Sequence, residues 1–207
     1  MEMTVETKKA SGIGEILSDF TMEAYLPEKK DFGKIVLSDI LKSGKWLILF
    51  FYPADYTFVC PTELADIGEK YDTFKKEGAE IISVSTDTHF VHMAWQSYEK
   101  LLSGVKYPMA ADPTHELSKN LGVYDAVTGL SYRGTFIIDP SGKIVSTEVN
   151  YYPVGRNSDE LLRKFRAFKF VNDNPAQVCP AKWNIGGKTL TPGKDLVGKV
   201  GDKLGVK

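Results

Sequence analysis

Cysteine is the scarcest chemistry in this chain: 207 residues hold two, Cys60 and Cys179, set 119 positions apart. A pair so few and so distant is a poor framework of structural staples. A Cys-x-x-Cys redox pair is absent, which argues against a thioredoxin-type reductase, and with only His89, His92 and His115 the cysteines match no common zinc spacing. Excess charge is lacking as well: 26 basic against 27 acidic residues give a net charge of −1, so neither nucleic acid nor an anionic membrane surface is an expected partner. No apolar run approaches the roughly 18–20 residues of a membrane span. The first residues, MEMTVETKKASGIGEI, lack the apolar core of a signal peptide. A cytoplasmic location is therefore expected, where the two thiols stay available for chemistry or for packing.

What the chain does have is one domain's worth of alternating elements. Residues 17–26 and 34–41 alternate weakly and suggest an N-terminal hairpin or arm. Trp46–Tyr52 is an unbroken apolar and aromatic run, the pattern of a central strand covered on both faces. Leu64, Ile67, Tyr71 and Phe74 then recur at steps of three and four, one stripe of a helix that stops near Gly78. A second buried strand follows at Ala79–Val84, and Val91, Trp95, Tyr98 and Leu102 suggest a helix over 88–102. A short strand is expected near 107–110 and a brief helix over 113–121. The strands 133–138 and 144–150 flank Asp139-Pro140-Ser141-Gly142, a strong turn signal. Asn157 with Glu160 resembles a capping box opening a last helix. The sum is an α/β fold, a mixed sheet flanked by helices over residues 1–171, followed by a glycine- and lysine-rich C-terminal arm over 172–207.

Cys60 stands where the central strand has ended and a helix begins. A buried thiol is ordinary core filler, and about half of such cysteines are no more than that. Three features favour chemistry. The sulfur need not point into the core, Pro61 suits the first helical turn, and Glu63 suits it too, which puts the sulfur beside unpaired amides at a positive helix end. Ionisation alone does little: an ordinary thiol is a few per cent ionised at neutral pH, so full conversion gains about 30-fold, about 2 kcal/mol. Rapid attack on a weak electrophile also needs donors aimed at the reacting atoms. The Thr57 hydroxyl and an arginine from elsewhere could supply them.

The stretch FFYPADYTFVCPTEL, with Pro53-x-x-x-Thr57-x-x-Cys60 inside it, resembles the active-site motif of the peroxiredoxins, specifically the typical two-cysteine class of the alkyl hydroperoxide reductase C type. The similarity continues in order through Ala94-Trp95, YRGTFIIDPSGKI at 132–144, VGRN at 154–157 and VCPAKW at 178–183. The resemblance implies a thioredoxin-like fold. It implies a thiol-dependent hydroperoxide reductase with no cofactor and no metal, acting on hydrogen peroxide and alkyl hydroperoxides. Cys60 would be the peroxidatic cysteine that becomes a sulfenic acid. Pro53 would shield the pocket, Thr57 would hydrogen-bond the peroxide, and Arg133 would polarise it, with Glu63 and Arg156 in support. Taken singly these residues read as a loop former, a turn hydroxyl and solvated charges; the joint pattern carries the expectation.

By the same resemblance Cys179 is the resolving cysteine. It forms an intersubunit disulfide in a homodimer, a dithiol or flavoprotein reductant resets it, and five dimers commonly assemble into a ring. Local unfolding around Cys60 would accompany turnover. Two elements that slow this unfolding in some members, a Gly-Gly-Leu-Gly insertion and a C-terminal Tyr-Phe pair, have no counterpart in LLSGVKYPMAADP or in the ending DKLGVK. Rapid resolution is therefore expected. The three histidines carry no expected catalytic part, and Trp95 is expected in the core. Two further readings stay open: a disulfide-controlled chaperone or scaffold, and an exchange protein acting on other proteins' disulfides.

Overall fold

In the computed structural model, which describes residues 11–205, the chain falls into two compact units, one running to Asn157 and the other from Ser158. The first unit is built on a seven-stranded sheet. Strand β1 (Thr21–Leu26) and β2 (Asp31–Val36) form an antiparallel hairpin, followed by a short helix α1 (Leu37–Lys42). Strand β3 (Trp46–Phe51) leads through a loop into helix α2 (Cys60–Lys76), then β4 (Ala79–Ser85) and helix α3 (His89–Tyr98). After a 3-10 turn at Lys100–Gly104 come β5 (Met109–Ala111) and α4 (Glu116–Asn120), and the hairpin β6 (Arg133–Ile138) and β7 (Ile144–Asn150) completes the sheet. The spatial order is β2-β1-β5-β4-β3-β6-β7.

The three parallel strands β3, β4 and β5 lie at the centre, and antiparallel strands flank them on both sides. Every residue of β3 is buried, as an interior strand with both faces covered requires. Parallel β3 and β4 need a crossover, and α2 supplies it, burying Leu64, Ile67, Tyr71 and Phe74. Gly78 ends that crossover at φ +92°, a conformation that a side chain would strain. The geometry carries the N-terminus of α2 to the carboxyl end of β3, beside the start of β6.

Three expectations change. The segment after Val36 is helix rather than strand, and the hairpin is no detached arm, because β1 pairs with β5 and extends the main sheet. The stripe Val91, Trp95, Tyr98, Leu102 is also not one face. Helix α3 ends at Tyr98, which is 80% exposed, and the residues turned inward are His92 and Trp95. A buried histidine is tolerated there because β5 and the loop after β3 supply its polar partners.

The second unit holds helix α5 (Ser158–Asp173), a 3-10 turn at Lys194–Leu196 and a short helix α6 (Val200–Leu204). Its irregular segment is anchored. Trp183 is buried, its ring lies 5.0 Å from that of Phe170, and its carbonyl accepts from Arg163 at 3.0 Å. A bridge between Val178 and Leu190 closes the loop that carries Cys179. No helix among the described residues is long and apolar enough to cross a membrane.

Candidate active site

Cys60 is the first residue of α2 and is 0% exposed. Val59 before it makes no side-chain cap, and Pro61 occupies the first turn, where its missing N–H costs nothing. The Thr62 and Glu63 amides of this turn donate to the Val59 carbonyl at 3.1 and 3.2 Å, so the polar partner of the sulfur comes from another element.

Arg133, the first residue of β6, points its guanidinium at this end. Its Nη1 donates to Cys60 Sγ at 3.4 Å and to Glu63 Oε2 at 2.5 Å, while Nε donates to the Tyr152 carbonyl at 2.8 Å. Glu63 lies one turn into α2 and accepts from a second arginine. Arg156 Nε reaches its Oε1 at 2.8 Å, Nη2 its Oε2 at 3.2 Å, and the backbone N–H its Oε1 at 2.9 Å. Arg156 Nη1 donates further to the Gly134 carbonyl and to Thr135 Oγ1, and its guanidinium lies 3.4 Å from the centre of the Phe50 ring. Gly155 makes the approach possible: a Cβ there would stand 3.2 Å from Val59 and 3.4 Å from Glu63.

All three charged side chains are at least 96% buried. Burial depresses Arg156 from its ordinary range, and Glu63 opposes that shift. Two arginines and one glutamate leave a formal charge of +1 away from water, a costly arrangement unless something compensates. A thiolate at Cys60, whose Sγ is 3.4 Å from Arg133 Nη1, would do so. At an effective dielectric of about 20 that attraction is on the order of 5 kcal/mol before desolvation. The cluster is thus suited to hold an anion at Cys60 and to meet negative charge developing on an oxygen beside it.

The loop between β3 and α2 supplies the remaining residues. Pro53 is buried, and Thr57 Oγ1 donates to the Ala54 carbonyl at 2.8 Å, which leaves its lone pairs free to accept from an incoming O–H. Tyr56 adopts a left-handed backbone at φ +54°, and Phe58 stands 92% exposed. The six site residues expected from the motif in this region, Pro53, Thr57, Cys60, Glu63, Arg133 and Arg156, therefore belong to the first unit. Hydrogen bonds join Cys60, Glu63, Arg133 and Arg156 directly.

Cys179 belongs to the second unit and carries a free thiol, as Cys60 does. It is half-buried, with Sγ 3.9 Å from the Ala167 carbonyl. Burial pushes its thiol up from the ordinary value, and Arg163 opposes the shift.

Some supporting residues left no mark in the sequence. Tyr152 holds Arg133 through its carbonyl, and Asp125 in turn accepts from its hydroxyl at 2.7 Å. Backbone contacts of this kind depend on register, and residue type does not betray them. Tyr52, Asp55 and His92 form a buried polar group behind the loop, a placement that histidine spacing gives no sign of. Trp95 is in the core as expected, its ring 6.0 Å from that of Tyr52.

A model of the AhpC/TSA family matches residues 13–147. Alkyl hydroperoxide reductase C of Staphylococcus aureus is 45% identical over 188 residues, covering 91% of this chain and 98% of that protein. Among solved structures, the crystal structure of Enterococcus faecalis AhpC superposes with a TM-score of 0.77 at 45% identity, over 81% of this chain and 98% of that one. The reduced 2-Cys peroxiredoxin of Plasmodium vivax gives a TM-score of 0.82 at 30% identity, over 88% and 94%.

Proposed function

The chain belongs to the AhpC/TSA family, and on that premise we propose that it reduces hydrogen peroxide and alkyl hydroperoxides through a sulfenic acid at Cys60. The observation that carries this reading is the Arg133 guanidinium donating at once to Cys60 Sγ and to Glu63.

The chemistry runs in two steps. The anionic sulfur attacks the hydroxyl oxygen of the peroxide. The S–O bond forms as the O–O bond breaks, and the departing alkoxide or hydroxide takes a proton from water and leaves as alcohol or water. Arg133 faces that developing charge, Thr57 orients the peroxide through its free lone pairs, and Pro53 keeps water from the sulfur. Glu63 and Arg156 hold Arg133 in place. The Cys179 thiolate then attacks the sulfenic sulfur; a disulfide forms, and the displaced hydroxide leaves as water with the proton that the thiol gave up.

We place that disulfide between subunits of a homodimer, with Cys179 carried on the 172–207 segment, dimers grouping as a ring of five and the protein working in the cytoplasm. An exposed disulfide suits a flavoprotein reductase or a thioredoxin-like dithiol as reductant. The complete burial of Cys60 disfavours direct exchange with disulfides of other proteins.

Peroxide consumption in the presence of dithiothreitol tests the reading. The intact chain should turn over both hydrogen peroxide and a bulkier hydroperoxide, and Cys60→Ser should abolish both. Residual turnover in Cys60→Ser would place the chemistry elsewhere.

A further inference from the structure

Behind the Cys60 loop lies a buried polar group that the two chemical steps do not use. Asp55 sits midway between Pro53 and Thr57, with its side chain 1% exposed, and His92 on α3 is 0% exposed. Their Oδ2 and Nδ1 atoms are 2.7 Å apart. Tyr52 OH donates to the other carboxylate oxygen at 2.7 Å, and the Asp55 backbone N–H donates to Asp87 Oδ2 at 2.9 Å. On its far side His92 Nε2 stands 3.1 Å from the Ala110 carbonyl.

These partners fix a proton count. A carbonyl only accepts, so Nε2 must carry its hydrogen. With Nε2 protonated, a neutral imidazole would turn the Nδ1 lone pair towards a carboxylate at 2.7 Å, two acceptors face to face without water. One more proton must therefore lie between Nδ1 and Oδ2, whichever atom holds it. The titratable and charged groups facing the pair are Tyr52, at the end of β3, and Asp87, in the loop after β4. The Asp87 carboxylate favours retaining that proton and the Tyr52 hydroxyl, by donating to Asp55, opposes it, while burial raises Asp55 above its ordinary value.

We infer that Asp55 and His92 form a proton-retaining latch that positions the Pro53–Val59 loop for peroxide attack and must release for Cys60 to reach Cys179. The inference rests on the peroxidase reading for its purpose. Cys60 is wholly buried when the latch is closed, so disulfide formation requires this loop to open. Opening puts Asp55 in water and frees His92 Nδ1, and a solvated imidazole loses its proton above about pH 6.5. The closed loop then binds one proton more than the open one. By linkage, opening becomes more favourable as pH rises, by up to about tenfold per pH unit.

The test separates the latch from the thiols. In a Cys60→Ser, Cys179→Ser chain, the opening constant of the 52–60 segment is measured by amide hydrogen exchange, corrected for intrinsic exchange, from pH 6.5 to 8. The latch predicts a rise of at least fivefold, and adding Asp55→Asn, which keeps the shape and can donate to a neutral His92, should reduce the rise to under twofold. A flat parent profile, or a rise that persists with Asp55→Asn, overturns it. His92→Gln provides the same comparison should the Asp55 variant fail to fold. In the thiol-intact chain, stopped-flow mixing with hydrogen peroxide should show Asp55→Asn slowing the first oxidation about tenfold while disulfide formation quickens. Equal slowing of both phases overturns the positioning role. If the unsubstituted chain ignores peroxide, the peroxidase reading fails, and the exchange profile still decides whether the latch exists.

Discussion

A single carboxylate, Glu63, keeps two buried arginines in one place, and most of the site's electrostatics depends on it. Breaking a buried pair by removing one partner leaves an uncompensated charge. Glu63→Gln should therefore lower stability by about 3 kcal/mol, read as a shift in the urea midpoint, and slow peroxide reduction as Arg133 drifts. Arg133→Lys keeps the charge and loses the fork that serves sulfur, carboxylate and carbonyl together, so its first oxidation should fall about 100-fold in stopped flow with little change in fold. At Cys179 burial favours the thiol, whereas the attack on a sulfenic acid needs the thiolate. The disulfide-forming rate should consequently rise as pH increases through and above neutrality, and this rise should survive in Asp55→Asn, because it belongs to Cys179. Residue types at motif spacing bring Cys60, Thr57 and Arg133 forward as candidates. They could not announce Asp55 with His92, 37 positions apart, whose role exists only once β3 and α3 are neighbours.

Helix α2 joins fold and candidate site, since its buried stripe seats it on the sheet while its first residue is Cys60, the proposed reactive cysteine. Its periodicity was plain in the sequence, and so were Pro61 and Glu63 in the first turn. Helix α3 was harder. Its stripe of four apolar positions crossed from an α-helix into a 3-10 turn, and the true inward face includes a histidine that hydropathy counts as polar. The loop between α2 and β4 tests how the crossover is closed. Gly78 lies at φ +92° with nothing near its absent Cβ, so Gly78→Ala should cost about 1 kcal/mol through backbone strain alone. A thermal scan should find the melting temperature lower by about 2–4 °C, with peroxide turnover at 25 °C unaffected.

Across the whole chain, the order of strands and helices was legible because each element's period differs from the next. The central parallel strands read as continuous apolar runs, and the 139–142 turn marked the final hairpin. The incorporation of β1 into the main sheet was not legible, because it depends on a three-residue strand, β5, too short to carry a pattern. Cys60 and Cys179 lie in different compact units; the change of composition after Asn172 already sets Cys179 apart from the main fold, whereas the proposed pairing of the two thiols rests on the resemblance. Under the proposed cycle, oxidised protein on a non-reducing gel should run as a dimer, and Cys179→Ser should run as a monomer that accumulates sulfinic acid when peroxide is in excess.

In the proposed cycle Cys60 breaks the oxygen–oxygen bond and Cys179 then captures the product. Intact-mass measurement of reduced Cys179→Ser after one equivalent of hydrogen peroxide tests this most directly. The expected result is a gain of one oxygen atom, trapped by dimedone at Cys60, and no gain in the Cys60→Ser chain. An unmodified mass in Cys179→Ser, or oxygen incorporated equally in Cys60→Ser, would contradict it.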